Sequence, residues 1–388
     1  MALKETVDEL LRQGVESGAV PGVVAIATDA NGNFYEGAFG SLSLSNGGTM
    51  ALDSVFWIAS LTKSITGVAA MMLVEQGKLD LDAPASDVLP ELADVQVLDG
   101  FDDAGEPVLR PPKSPVTLRH LLTHTSGFGY AFWSADIDRY VKAVDIPPIS
   151  SRTRAALRLP LLFDPGTDWI YGVGIDWAGL MVEQVSGQKL GRFMSQNLFE
   201  PLGMDSTAFG QTADMKGRVA AMHHRKGEGL TEPEPAPPAG APEIEMGGGG
   251  LVSTMPDYAR FARLILNRGR AGGHQYLKPE TFEMMRVNQM GDNRVRMLKS
   301  TDRTMTNDAE FFPGIEKTWG LSFMINEQEA PTGRSAGSLA WAGMANSYFW
   351  ADPDKGVAGA FSTQILPFAD HRALPLYLQF EKAVYDSL

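Results

Sequence analysis

Segments with strand character lie at the two ends of this chain and helical patterns fill the middle, which restricts the fold more than any other feature. Near the start, Val23 to Thr28 and Asn33 to Phe39 flank the turn residues Asp29, Ala30, Asn31 and Gly32, predicting an antiparallel hairpin. Near the end, Trp319 to Asn326, Ser338 to Ala342, Ser347 to Ala351 and Val357 to Thr363 are strand candidates, with Asp352 to Gly356 as a turn. An N-terminal hairpin that joins this C-terminal meander makes one antiparallel sheet. The expectation is therefore an α+β fold: residues 1–80 and 235–388 carry the sheet and its helices, and 81–234 form a mostly helical inserted domain.

Periodicity supplies the helices. Leu3, Val7, Leu10, Leu11 and Val15 suit one face of a first helix. Ile65, Val68, Ala69, Met72 and Leu73 recur at helical spacing over Ser60 to Gly77, where Gly77 is a stop signal. Further helical patterns run over Thr117 to His124, Ile175 to Ser186, Met255 to Gly269 and Leu374 to Leu388, while Ser54 to Ile58 suits a strand or a loop. The proline- and acid-rich stretch Glu232 to Glu245 reads as a surface loop or linker. The Ser60 helix falls where sheet and helical region meet, a common place for pockets.

Charge and composition remove several function classes. The formal net charge of −14 repels phosphate backbones and anionic lipid, so neither nucleic acid nor membrane is expected as a partner. The absence of cysteine removes disulfide scaffolds, cysteine nucleophiles and thiolate metal sites. Charges interrupt the opening MALKETVDELLRQGVESGAV, so it lacks the apolar core of a signal peptide, and no apolar run is long enough to span a bilayer. The expectation is a soluble cytoplasmic protein, or a periplasmic one if a leader has been removed; oligomeric state stays open.

The chemistry-bearing candidate is Ser60-Leu61-Thr62-Lys63, an S-x-x-K at the start of a helix. Positions i and i+3 share a helix face, so Lys63 can reach the Ser60 hydroxyl. A serine is a weak nucleophile without an adjacent base, and a buried lysine that loses its proton can be that base. The tetrapeptide alone is weak, since chance supplies about one per chain of this composition. A second copy, Ser186-Gly187-Gln188-Lys189, follows a helix end with glycine inside and reads as a C-terminal cap.

The wider context is more specific. FWIASLTKSITGVAAMMLVEQGKLDLDAP resembles the active-serine helix of class C β-lactamases, penicillin-binding proteins and related esterases. LRHLLTHTSGFGY (Leu118 to Tyr130), PLGM (Pro201 to Met204) and GGGGLVSTMPDYARFARLIL (Gly247 to Leu266) resemble further segments of that superfamily, in its order, so the likeness runs from about Val20 to the C-terminus. It implies a β-lactamase/transpeptidase-like fold. It also implies roles for Tyr171, in FDPGTDWIYGVGIDWAG, as a phenolic acid/base, and for Trp341-Ala342-Gly343, similar to the W-G-G variant of the family VIII carboxylesterases. By the same resemblance, the backbone N–H groups of Ser60 and Met344 form an oxyanion hole, and Trp341 and Gly343 contact substrate. Val173 stands where lactamases and transpeptidases carry a substrate-contacting asparagine, and no lysine occupies the K-T-G position, because Lys317-Thr318 is followed by Trp319. Both departures point to neutral carboxylic esters of small to medium acyl chains. The aromatic segment Gly127 to Trp133 suits an apolar wall, with Tyr130 and Phe128 as substrate contacts, or plain core packing.

The resemblance thus implies a carboxylesterase that works through a Ser60 acyl-enzyme, with Lys63 and Tyr171 moving the proton and no cofactor or metal. The partner is a small-molecule ester. An amide, D-peptide or oligoamide hydrolase and a weak β-lactamase or cephalosporin deacetylase share the scaffold, and a non-catalytic binding protein is the alternative of another class. Taken alone, Tyr171 and Trp341 read as packing residues; their order with Ser60 makes them chemical. No G-x-S-x-G elbow and no H-E-x-x-H occur, so neither an α/β-hydrolase nor a metal site at His120 and His124 has support. Gly247 to Gly250, with no G-K-[ST] after it, reads as close backbone packing rather than a phosphate cradle.

Overall fold

A computed structural model of the chain describes residues 3–232 and 242–388. The proline-rich core of the expected linker lies outside the described residues.

The central sheet has eight strands: β1 (Gly22–Asp29), β2 (Asn33–Ser43), β3 (Gly47–Thr49), β4 (Lys317–Trp319), β5 (Met324–Asn326), β6 (Leu339–Gly343), β7 (Ser347–Asp352) and β8 (Val357–Ser362). Their spatial order is β4-β5-β6-β7-β8-β1-β2-β3. Both chain ends therefore meet in one antiparallel sheet at the β8–β1 seam, where Val24 pairs with Ser362 and Asp29 with Val357. The single strand expected over Trp319 to Asn326 is two strands instead. Ser322 takes a positive φ of 79° and turns the chain, so Trp319 faces Met324 across a tight hairpin.

Helices cover both faces. In β7 the pleat sends Tyr348 and Trp350 to one side, where Tyr348 stacks on Tyr377 at 4.4 Å and Trp350 meets Phe380 at 5.6 Å, both from helix α6 (Ala373–Tyr385). Phe349 points the other way, edge-on to Tyr258 of α5 (Met255–Leu266) at 5.2 Å. That two-sided burial is why the central strands read as continuous apolar runs. Helix α1 (Leu3–Glu16) lies beside α6, and Gly14 faces Leu376 with no room for a side chain.

Helix α2 (Thr62–Glu75) leads from the sheet to the helical region, which contains α3 (Leu118–Thr123) and α4 (Gly174–Ser186). Helix α2 is buried on nearly every side, so it forms the hub between sheet and helical region rather than an amphipathic surface helix. Its last turn ends at Gly77, whose φ is 69°. The short strand Phe56–Trp57, which pairs with Leu251–Ser253, delivers the chain into α2 and settles the ambiguity over Ser54 to Ile58. Among the described residues no helix is long and apolar enough to cross a membrane.

Candidate active site

The site begins at the entry to α2. Ala59 to Leu61 form a 3-10 turn, and Ala59 has a φ of 44°, a strained value for a residue with a Cβ. Several bonds hold that turn. Thr62 Oγ1 donates to Ala59 O at 2.6 Å and accepts from Leu251 N at 3.2 Å, and Tyr258 Oη donates to Leu61 O at 3.1 Å. Ser60 thereby stands on a fixed, half-buried corner rather than inside the helix proper.

Lys63 lies one turn on and is fully buried. Its Nζ donates to Ser60 Oγ at 3.1 Å, to Tyr130 Oη at 3.0 Å and to the carbonyl of Gly248 at 2.5 Å. The ammonium position also sits over the face of Tyr171, 4.8 Å from the ring centre. The i, i+3 spacing brings the Ser60 hydroxyl and the Lys63 amine into hydrogen-bond contact.

The two tyrosines differ from the sequence reading. Tyr171 borders the site, and its Oη accepts from Trp341 Nε1 at 3.0 Å. Tyr130, expected as an apolar wall, turns its hydroxyl onto Lys63. Burial pushes the Tyr130 phenol well above its usual pKa, and the charge of nearby Asp176 adds to the rise, so it stays protonated at neutral pH. Phe128, read as a substrate contact, is buried against Trp177 at 6.1 Å and faces the core instead. The ring that extends from Tyr130 is Phe132, stacked on it at 4.8 Å and only partly buried.

Trp341 is also buried, 4 % exposed, and wedged between Tyr171 at 4.8 Å and Trp319 at 4.5 Å. The structure makes it a support for Tyr171 and leaves it little surface for substrate. Gly343 closes the other side of the corner. A Cβ there would stand 2.3 Å from Ile58 O, so only glycine lets the end of β6 press against the Ser60 turn. That contact brings the chain from Gly343 to Met344 alongside Ser60. Among the described residues neither the Ser60 nor the Met344 N–H has an acceptor.

The remaining candidates have structural partners. His120 completes a capping box with Thr117 at the start of α3. His124 accepts from Gly172 N at 3.4 Å and packs on Tyr171 and Trp319; burial, and then the charge of Lys63, push it well below the usual histidine pKa. No group of three metal-ligating side chains occurs among the described residues. Lys317 donates to the carbonyls of Phe312 and Ile315, away from the serine. At the second S-x-x-K, Gly187 ends α4 with a φ of 68° and Lys189 pairs with Glu183, which is the cap the pattern predicts.

Sequence reasoning missed Asp176. It stands on α4 with 1 % of its surface exposed, its Oδ1 accepting from Gly248 N at 2.7 Å. Its signal was present: one carboxylate inside the apolar run GIDWAGLMV. Burial pushes its pKa up, opposed first by the charge of Lys63.

The chain is similar to known proteins over nearly its whole length. A family model described as Beta-lactamase matches residues 7–383. The lovastatin esterase of Penicillium rubens is 31 % identical over 398 residues, which cover 97 % of each chain. The ML-236A carboxylate methylbutanoyltransferase of Penicillium citrinum is 31 % identical over 97 % of this chain and 93 % of its own. Among solved structures, a LovD6 mutant of simvastatin synthase from Aspergillus terreus superposes with a TM-score of 0.84 at 30 % identity, covering 98 % of this chain and 96 % of that one.

Proposed function

This chain belongs to the β-lactamase family as an enzyme of its serine hydrolase and acyltransferase branch, and on that premise we propose that it cleaves neutral carboxylic esters through an acyl-enzyme at Ser60. The observation that carries the reading is the contact of Lys63 Nζ with Ser60 Oγ inside a buried site.

In this reading acyl transfer runs in two stages. Ser60 Oγ attacks the ester carbonyl while neutral Lys63 takes its proton. The oxyanion lies against the unpaired N–H groups of Ser60 and Met344. Collapse breaks the bond to the alcohol, which leaves with a proton returned from Lys63 through a phenol. In this reading Tyr171, whose Oη accepts from the Trp341 indole, gives its O–H proton to the alcohol and takes one back from the Lys63 ammonium that lies over its ring. Tyr130, held protonated, fixes the lysine. Water then attacks the acyl-enzyme by the reverse of these steps.

The absence of a lysine at the K-T-G position and the partly exposed ring of Phe132, stacked on Tyr130, favour an uncharged acyl group. A second reading has a specific support: relatives of nearly full coverage are named methylbutanoyltransferases, so an alcohol can replace water as acyl acceptor. Turnover of a short-chain nitrophenyl ester with and without a bulky alcohol tests both. Serine-dependent release of nitrophenol with free acid as product supports the esterase. An alcohol ester as main product makes transfer the principal reaction, and equal turnover by Ser60→Ala overturns the site.

A further inference from the structure

The mechanism above uses Lys63 as a base but leaves open what compensates its charge. Taking the serine's proton creates an ammonium in a buried site, and an uncompensated buried charge is costly. The groups that touch Lys63 directly are Ser60, Tyr130 and the Gly248 carbonyl, all uncharged at neutral pH. Around them, Tyr171 offers a ring face, and the buried His124 is held neutral. The sheet contributes Trp341, which carries no charge. Among the described residues, Asp176 of α4 is the carboxylate at this centre.

Asp176 is joined to Lys63 through the Gly248 peptide. Its Oδ1 accepts the Gly248 N–H, and the carbonyl of that same glycine accepts from Lys63 Nζ. Its Oδ2 makes no hydrogen bond of ordinary length among the described residues, and the donor beside it is the hydroxyl of Tyr130, which also meets Lys63. The approach is close enough to require glycine: a Cβ on Gly248 would lie 2.4 Å from Oδ2. The carboxylate is thus tied to the lysine on two sides, through the Gly248 peptide and through the Tyr130 hydroxyl.

Resting on the acyl-transfer reading, we propose that Asp176 is a positioning residue that supplies the counter-charge to the ammonium of Lys63 and, through the Gly248 peptide, aims that amine at Ser60. The carboxylate favours the protonated amine and so stabilises the charge that develops as Ser60 is deprotonated.

The test is the pH dependence of Ser60 labelling by a nitrophenyl phosphonate, followed to completion in wild type, Asp176→Asn and Ser60→Ala. Asparagine keeps an acceptor for Gly248 and removes the charge. The expected result is a labelling rate lowered about tenfold or more at its plateau, with the acid limb moved down by about one pH unit. An unmoved acid limb overturns the proposal, because a merely structural role lowers the plateau without shifting the limb. Labelling of Ser60→Ala, or none in wild type, defeats the serine reading instead and is seen in separate samples. If Asp176→Asn does not fold, the pair Lys63→Met with Asp176→Asn decides the matter. Recovery of a cooperative melt in the double variant supports charge coupling, and failure of the double variant to fold refutes it.

Discussion

Two buried charge clusters sit on opposite sides of this molecule, and they are built differently. Between α6 and the sheet, Arg334 meets Glu381 in a direct ion pair, and Thr332, Tyr377 and Arg334 together saturate the carboxylate. At the head of α2, Lys63 and Asp176 are separated by a peptide unit, and each keeps neutral partners. The first arrangement leaves no proton to move and fastens the C-terminal helix. The second leaves an amine that can exchange a proton with the serine it touches. Direct pairing spends the electrostatic energy on geometry, whereas on the proposed mechanism the spacer keeps both groups available to the reaction.

The largest test of that contrast is removal of the nucleophile. Ser60→Ala should lower kcat/KM for a nitrophenyl ester by at least about 1,000-fold with an unchanged melt. Activity near the wild-type value would place the chemistry elsewhere. On the opposite side, Arg334→Met should leave Glu381 buried and unpaired, with a cost of about 3–5 kcal/mol, while the folded fraction keeps its turnover. Urea unfolding and ester kinetics on the same preparation read the two effects. A stable Arg334→Met variant, or one whose folded form has lost activity, would erase the distinction between the clusters.

The phenols provide a finer test. Tyr171→Phe should cost about 100-fold in kcat, as expected when a general acid is lost, and Tyr130→Phe should cost about tenfold by loosening Lys63. The reverse order in steady-state kinetics would make Tyr130 the proton donor. Smallest is the effect of His124. Its folded pKa is depressed, so as pH falls below about 6.5 the unfolded chain binds the proton that the folded state refuses, and stability drops with pH. His124→Asn suits the positive φ of 59° at this position and removes that proton. Its Tm should fall less than the wild-type Tm between about pH 7.5 and pH 5.5. An equal fall would show that other groups carry the acid sensitivity.

Local pattern was enough for what depends on neighbours along the chain. Asn31 and Gly32 dictate the first hairpin, Gly77 ends α2, and the i, i+3 spacing of Ser60 and Lys63 puts both on one side of the helix entry. The placing of strands at both ends likewise required one sheet with a seam between β8 and β1. Short-range rules failed inside Trp319 to Asn326, where an apolar run hides a turn at Ser322.

What the sequence could not decide is which side chains meet across the core. Tyr130 and Tyr171 are both aromatic residues near turns, and nothing local says which hydroxyl reaches the lysine and which the Trp341 indole. Phe128 and Tyr130 are two apart, yet one is turned into the core and the other to the site because Gly127 and Gly129 route the loop between α3 and α4. Asp176 acquires its meaning only when the glycines after the linker close on it, 72 residues further along the chain. Spacing along one helix is a property of the backbone, and the sequence carries it. Contacts between segments depend on how several packed surfaces fit at once, and only the folded structure contains that information.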